Sequence, residues 1–183
     1  MALGKSKLQD PLKDLFEGTN GFPSTRAKAA KDLAAIYRTY ATDAAAATTT
    51  PVVAQLTTAG DTLASALEAA FKAAEAAGPP GVAALSLAMD DAFVAFWMKP
   101  LPMKFAFPTT GVPTIGGLVA VAPPGVLSLG LTSLFLAGAA GGPTAAQQAQ
   151  AMATILDTWT RTVTVVNTPI TPPGPPTPPI PLT

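Results

Sequence analysis

Apolar side chains recur at spacings of three and four along the first hundred residues, and each such run predicts a helix. Leu33, Ile36, Tyr37, Tyr40 and Ala44 share one face of a segment from about Ser24 to Ala46. Leu56, Leu63, Leu67, Phe71 and Ala74 form a stripe from about Pro51 to Ala77. Leu85, Met89, Phe93, Phe96 and Trp97 do the same between Gly81 and Met98. A shorter helix opens at Asp10-Pro11 and closes at Gly18, since Asp caps, Pro suits a first helical position and Gly ends helices. Ser24 reads as the next N-cap, and Thr50-Pro51 as another cap followed by proline. Lys28 with Asp32, and Glu68 with Lys72, are spaced to pair on wet faces. Asn20-Gly21-Phe22-Pro23, Thr48-Thr49-Thr50, Gly78-Pro79-Pro80-Gly81, Pro100 and Pro102 punctuate the runs. Alanine favours helix and lets helices approach closely. Short connections favour side-by-side neighbours, so residues 1–100 read as an Ala-rich antiparallel helical bundle.

Beyond Leu101 the pattern changes. Met103 to Phe107 and Leu118 to Val121 read as short strands, separated by turns at Pro108, Gly111, Pro113, Gly116 and Gly117. An apolar segment runs from Val126 to Ala140, and Gly141-Gly142-Pro143 breaks it. A last helix over Thr144 to Thr160 carries Ala149, Met152, Leu156 and Trp159 on one face. Thr162-Val163-Thr164-Val165 alternates with period two, a strand that pairs with an earlier strand or with another subunit. The tail, Thr168 to Thr183, has eight prolines in sixteen residues. It favours extended polyproline II and is barred from a central strand. The expected fold is therefore mainly α. It comprises a bundle over 1–100, a low-charge region with short strands and a final helix over 101–167, and a proline-rich arm over 168–183.

Charge sharpens this division. The chain has 11 basic and 11 acidic residues. Nineteen of these 22 lie in residues 1–100, and the rest are Lys104, Asp157 and Arg161. From Phe105 to Leu156 no side chain is charged, whereas soluble domains are about a quarter charged. Such a stretch must be covered by the rest of the fold, by partners or by lipid. The zero net charge argues against direct nucleic-acid binding. No secretory leader reads from Met1 to Asp10.

The chain has no His and no Cys, which excludes thiol nucleophiles, thiolate or imidazole metal ligands and Ser-His-Asp triads. Asp90 and Asp91 point about 100° apart on a helix and do not share a site. Asp10, Asp14 and Glu17 cluster, but at an expected helix start that the dipole favours. Gly116-Gly117 and Gly141-Gly142 fit no phosphate loop. Ser6-Lys7 and Gly4-Lys5-Ser6 are the only adjacent Ser-Lys arrangements, and they lie at a terminus. Phe93, Phe96, Trp97 and Trp159 read as core. The reading is a protein without enzymatic activity, cofactor or metal. Val126 to Ala140 is shorter than the about 20 apolar residues of a spanning helix, yet membrane association through it stands as the alternative.

An Ala-rich helical front, Phe93-Val94-Ala95-Phe96-Trp97, a Pro/Gly-rich apolar middle, a Thr/Val strand over Thr162 to Val166 and a proline-rich extension follow one another. This layout resembles small virion-associated structural proteins of tailed bacteriophages and related contractile injection systems. The resemblance implies a subunit of a symmetric, homo-oligomeric assembly at neck, tail or capsid surface. It implies other virion proteins as partners and a virion location after assembly in the host cytoplasm. The expected subunit contacts are Thr162, Val163, Thr164 and Val165 on the strand, and Pro172, Pro173, Pro175, Pro176, Pro178, Pro179 and Ile180 on the arm. A disordered tail and a ligand for proline-recognising grooves are the other readings of the arm.

Overall fold

A computed structural model describes residues 3–19, 21, 23–44, 50–77, 81–98, 102–106, 117–120, 125–166 and 180–183. Among these the chain is mainly helical, with a small antiparallel sheet. The helices are α1 (Ser6–Glu17), α2 (Arg26–Ala41), α3 (Val53–Ala77), α4 (Gly81–Met98), α5 (Val126–Ala139) and α6 (Ala145–Thr160). The strands are β1 (Thr50–Pro51), β2 (Lys104–Ala106), β3 (Gly117–Ala120), β4 (Thr164–Val166) and β5 (Ile180–Pro181).

The helical stripes bury as their spacing requires. Leu33, Tyr37, Tyr40 and Ala44 are buried, as are Leu56, Leu63 and Leu67, and Met89, Phe93, Phe96 and Trp97. α3 packs on α2 and α4, α1 on α6, and α5 on α4 and α6. One cluster of buried side chains runs from Leu3 to Leu182, so both halves of the chain contribute to a common core. Lys28 and Asp32 close at 2.6 Å, whereas Glu68 and Lys72 do not pair.

Several boundaries differ from the sequence expectation. α1 opens at Ser6, not at Asp10-Pro11, and encloses Pro11. Pro11 lacks the N–H that would bond the Lys7 carbonyl. Asp14 and Glu17 therefore lie towards the helix end, not its start, and Gly18 closes the helix in the left-handed region at φ 67°. Thr25, one residue past Ser24, caps α2 by accepting from the Lys28 N–H at 3.1 Å. α2 stops at Ala41, where the Thr42 hydroxyl bonds the Arg38 carbonyl at 2.9 Å. Thr50-Pro51 does not begin α3; it is β1, paired with Phe105 and Ala106. Gln55 extends this pairing, its side-chain oxygen accepting from the Lys104 N–H at 2.7 Å. α6 starts with a complete capping box, in which Thr144 and Gln147 satisfy each other's backbone N–H groups. The breaks expected at 78–80, 100, 108–116 and 123–124 lie outside the described residues.

The sheet runs in the order β1-β2-β3-β4-β5, antiparallel throughout. Phe105, Val163, Val165 and Leu182 are buried, which fixes the face that meets the helices. Both edge strands are two residues long and both contain a proline, Pro51 and Pro181. Proline donates no hydrogen bond, so these edges are poor templates for further strands.

Candidate functional site

The most ordered polar chemistry is a buried network that locks α6 against α2 and α4. Tyr37 on α2 and Thr160 on α6 meet hydroxyl to hydroxyl at 2.8 Å. Thr160 donates its one hydroxyl proton to the Leu156 carbonyl at 2.7 Å, so Tyr37 is the donor to Thr160. The Tyr37 oxygen in turn accepts from the Trp97 indole N–H at 3.0 Å. One helical turn on, Tyr40 donates to Asp157 at 2.7 Å. Arg161 pairs with both oxygens of Asp157, at 3.0 and 3.2 Å, and reaches the Leu3 carbonyl at 2.9 Å. Two of the three charges of the second half are thus spent on one bidentate pair, which also ties down the start of the chain.

Aromatic rings fill the space around this network. The Tyr37 ring meets Phe93 and Phe96 edge-on, at centroid distances of 4.7 and 5.0 Å. Trp97 stacks over Phe105 of β2 at 6.4 Å. Burial pushes the Tyr37 hydroxyl well above its ordinary pKa, only partly offset by its hydrogen bonds to Thr160 and Trp97. Burial also raises Tyr40, and its hydrogen bond to Asp157 raises it further. The hydrogen bond to Asp157 likewise raises Arg161. Both tyrosines are held as neutral phenols, an arrangement suited to fixing geometry and not to moving protons.

α4 holds the start of α5 through one side chain. Asp90 is fully buried, and its Oδ2 accepts from the Gly125 N–H at 2.7 Å and the Ser128 N–H at 3.0 Å. It serves α5 as an N-cap supplied by another helix. Its other oxygen, Oδ1, has no hydrogen-bond partner. Asp91 is exposed, so the adjacent carboxylates part company as expected. Ser86, Asp90, Phe93 and Trp97 follow a 4-3-4 spacing on the buried side of α4. A carboxylate on such a stripe needs a distant donor, and that signal was present in the sequence. Asp90→Ala is expected to cost about 2–3 kcal/mol, because two buried N–H groups lose a charged acceptor. Asp90→Asn keeps an acceptor oxygen and should cost less than half as much, both read by urea denaturation.

α5 itself is apolar on every side. Leu127, Leu131 and Leu134 face the core. On the opposite side Val126 is 54% exposed, Leu129 75% and Leu136 56%, joined by Ser133, Ala137 and Ala140. Helices at a protein surface carry polar residues outward, and a helix apolar all round is ordinarily buried all round. This outward face is the candidate functional surface. Gly130 brings α5 close to α6: a Cβ there would lie 3.0 Å from Ile155 Cγ2. α4 is the one described helix long and apolar enough to cross a bilayer, and half of it is buried inside the protein.

The expected subunit contacts fall as follows. Val163 and Val165 are buried within the chain, Thr164 is half-buried and Thr162 is exposed. The alternating pattern allowed an earlier strand or another subunit as partner, and β4 pairs on one side with the earlier strand β3. On its other side it pairs with β5 of the same chain, Val165 opposite Ile180. Leu182 is buried and its N–H bonds the Val163 carbonyl at 3.0 Å. Pro172, Pro173, Pro175, Pro176, Pro178 and Pro179 lie outside the described residues. At the N-terminus Lys7 pairs with Asp43 and Lys5 approaches the Thr154 hydroxyl at 3.4 Å, so both Ser-Lys lysines have other partners. Hollows also indent the surface of the described residues. One of about 430 Å³ lies between α2 and α3, where Lys31 and Arg38 alternate with Asp61 and Glu68. One of about 460 Å³ is apolar, lined by Leu15, Phe16, Leu33 and Phe71.

The chain matches no protein-family model, no curated protein and no solved structure. The site therefore has to be read from its own chemistry.

Proposed function

We propose that this chain is a non-enzymatic structural subunit of a symmetric multi-copy assembly, of the virion kind, and that the outward face of α5 is one of its contact surfaces. The observation that carries this reading is the uncharged face on which Val126, Leu129 and Leu136 are exposed together along one helix. Subunits of permanent assemblies bury such surface against one another, and their interfaces are more apolar than transient ones. In this reading the helices form an antiparallel bundle, and the proline-rich segment is an extended arm reaching neighbouring subunits before its end docks as β5. Neck, tail and capsid surface are the places that suit such a subunit, with other virion proteins as neighbours.

Light scattering on the purified full-length chain at micromolar concentration tests the reading. The expected mass is a multiple of the 18.4 kDa chain. A single-chain mass at tens of micromolar, the range in which about −6 to −7 kcal/mol of association would show, overturns it.

A further inference from the structure

We infer that α5 pairs with α5 of a second copy, antiparallel, about a two-fold axis passing beside Ser133. The inference rests on the multi-copy reading and names the partner of its contact surface. Val126, Leu129, Ser133, Leu136 and Ala140 are spaced 3-4-3-4, the repeat of a seam that packs against another helix. All of these positions are exposed.

Three features of this seam select a like helix as its occupant. First, it has no charge, and no charge flanks it between Phe105 and Leu156. A partner recognised by charge has nothing to engage, whereas an identical uncharged seam meets no repulsion. Second, the seam is self-complementary when reversed. With Ser133 facing its own copy, Val126 lies over Ala140, and Leu129, about 6 Å along the axis from Ser133, comes nearly level with Leu136 of the second copy, about 4.5 Å along, so apolar side chains meet along the whole seam. Ser133 already donates to the Leu129 carbonyl at 3.1 Å, so its hydroxyl enters an apolar contact without losing a partner. Antiparallel pairing also sets the helix dipoles in opposition. Third, lipid suits the helix poorly. Its 14 residues rise about 21 Å, against a hydrocarbon core of about 30 Å. It also lacks the basic polar face of a helix that lies on a membrane.

The native chain has no cysteine, so introduced thiols report unambiguously. The test uses full-length Ser133→Cys, Val126→Cys and Ala140→Cys, with Thr57→Cys on the exposed face of α3 as control. Ser133→Cys should form a disulfide dimer about tenfold or more faster than the control, as a thiol held beside its copy reacts at an effective millimolar concentration. Val126→Cys and Ala140→Cys should crosslink when mixed and not when separate. Crosslinking of each alone means a parallel pair and overturns the arrangement. If light scattering shows oligomers but Ser133→Cys reacts no faster than the control, the α5 pair is wrong while the multi-copy reading stands. A monomer by scattering removes both. Protection of the three α5 thiols by phosphatidylcholine vesicles, without dimer formation, makes lipid the occupant and overturns the pair.

Discussion

Tyr37→Ala is expected to lower stability by about 3–5 kcal/mol, the range for removing a fully buried aromatic ring. The loss has two sources. The ring is wedged against Phe93 and Phe96, so its removal leaves a cavity that α2 and α4 cannot close without shifting towards each other. The hydroxyl is the acceptor for Trp97 and the donor to Thr160, so both lose a partner in a dry site. Tyr37→Phe separates the two. It keeps the ring and should cost about 1–3 kcal/mol, the penalty for leaving a buried donor unmade. Thr160 still donates to Leu156, so the unsatisfied group is the Trp97 indole N–H. Trp159 already has a buried indole N–H without a partner, and the variant would add a second. Chemical denaturation reads both values.

The same residue makes an alkaline prediction with a definite sign. Below the ordinary tyrosine value near 10, Tyr37 and Tyr40 are neutral in folded and unfolded chains alike. Above it the unfolded chain releases these protons and the folded chain, whose values are raised, does not. Stability therefore falls as pH rises beyond about 10. Tyr37→Phe removes one of the two protons and should make that fall shallower. An unchanged slope would mean that Tyr37 titrates freely in the folded state.

The helices were legible because their information is local. The stripe from Leu85 to Trp97, bounded by Gly81 and Pro100, marks α4 at the residues where it is found. The alternation at Thr162 to Val165 likewise marks which side chains enter the core. Errors arose where a distant partner decides. Thr50-Pro51 carries a good local helix-start signal, yet its backbone is taken by β2 more than fifty residues away. The spacing of Asp90 on α4 separates it from Asp91, but its partners, Gly125 and Ser128, appear only once α5 is placed against it. The tail shows both sides. Its prolines exclude a central strand, and β5 is accordingly an edge. That it closes on β4 of its own chain follows from Leu182 finding a buried place, which no local pattern announces. The candidate surface was half legible. The silence of charge from Phe105 to Leu156 says that something covers this stretch. Only the fold says that α4 and α6 cover the Leu127, Leu131 and Leu134 side of α5 and leave Leu129 and Leu136 in water.

That division makes the double substitution Leu129→Lys with Leu136→Lys the most telling change on the molecule. At 75% and 56% exposure both side chains contribute little to the fold of the single chain. Stability of the monomer should stay within about 0.5 kcal/mol, as for surface substitutions generally. Association should collapse. Each leucine buried in a contact is worth about 1.5–3 kcal/mol, and a two-fold seam loses four of them while bringing four like charges together. The sum corresponds to a loss of at least a thousandfold in affinity, so light scattering should report single chains with unchanged helix content by circular dichroism. Leu131→Lys on the inner side of the same helix provides the contrast. Leu131 is fully buried, so a lysine there should destabilise the fold itself. Charge reversal then identifies the partner. Leu129→Glu with Leu136→Glu should also be monomeric alone, but mixing it with the lysine variant should restore association, since opposite charges then face each other across the seam. Rescue in the mixture requires that two α5 helices meet. Assembly that survives the double lysine variant places the contact on another surface of the molecule.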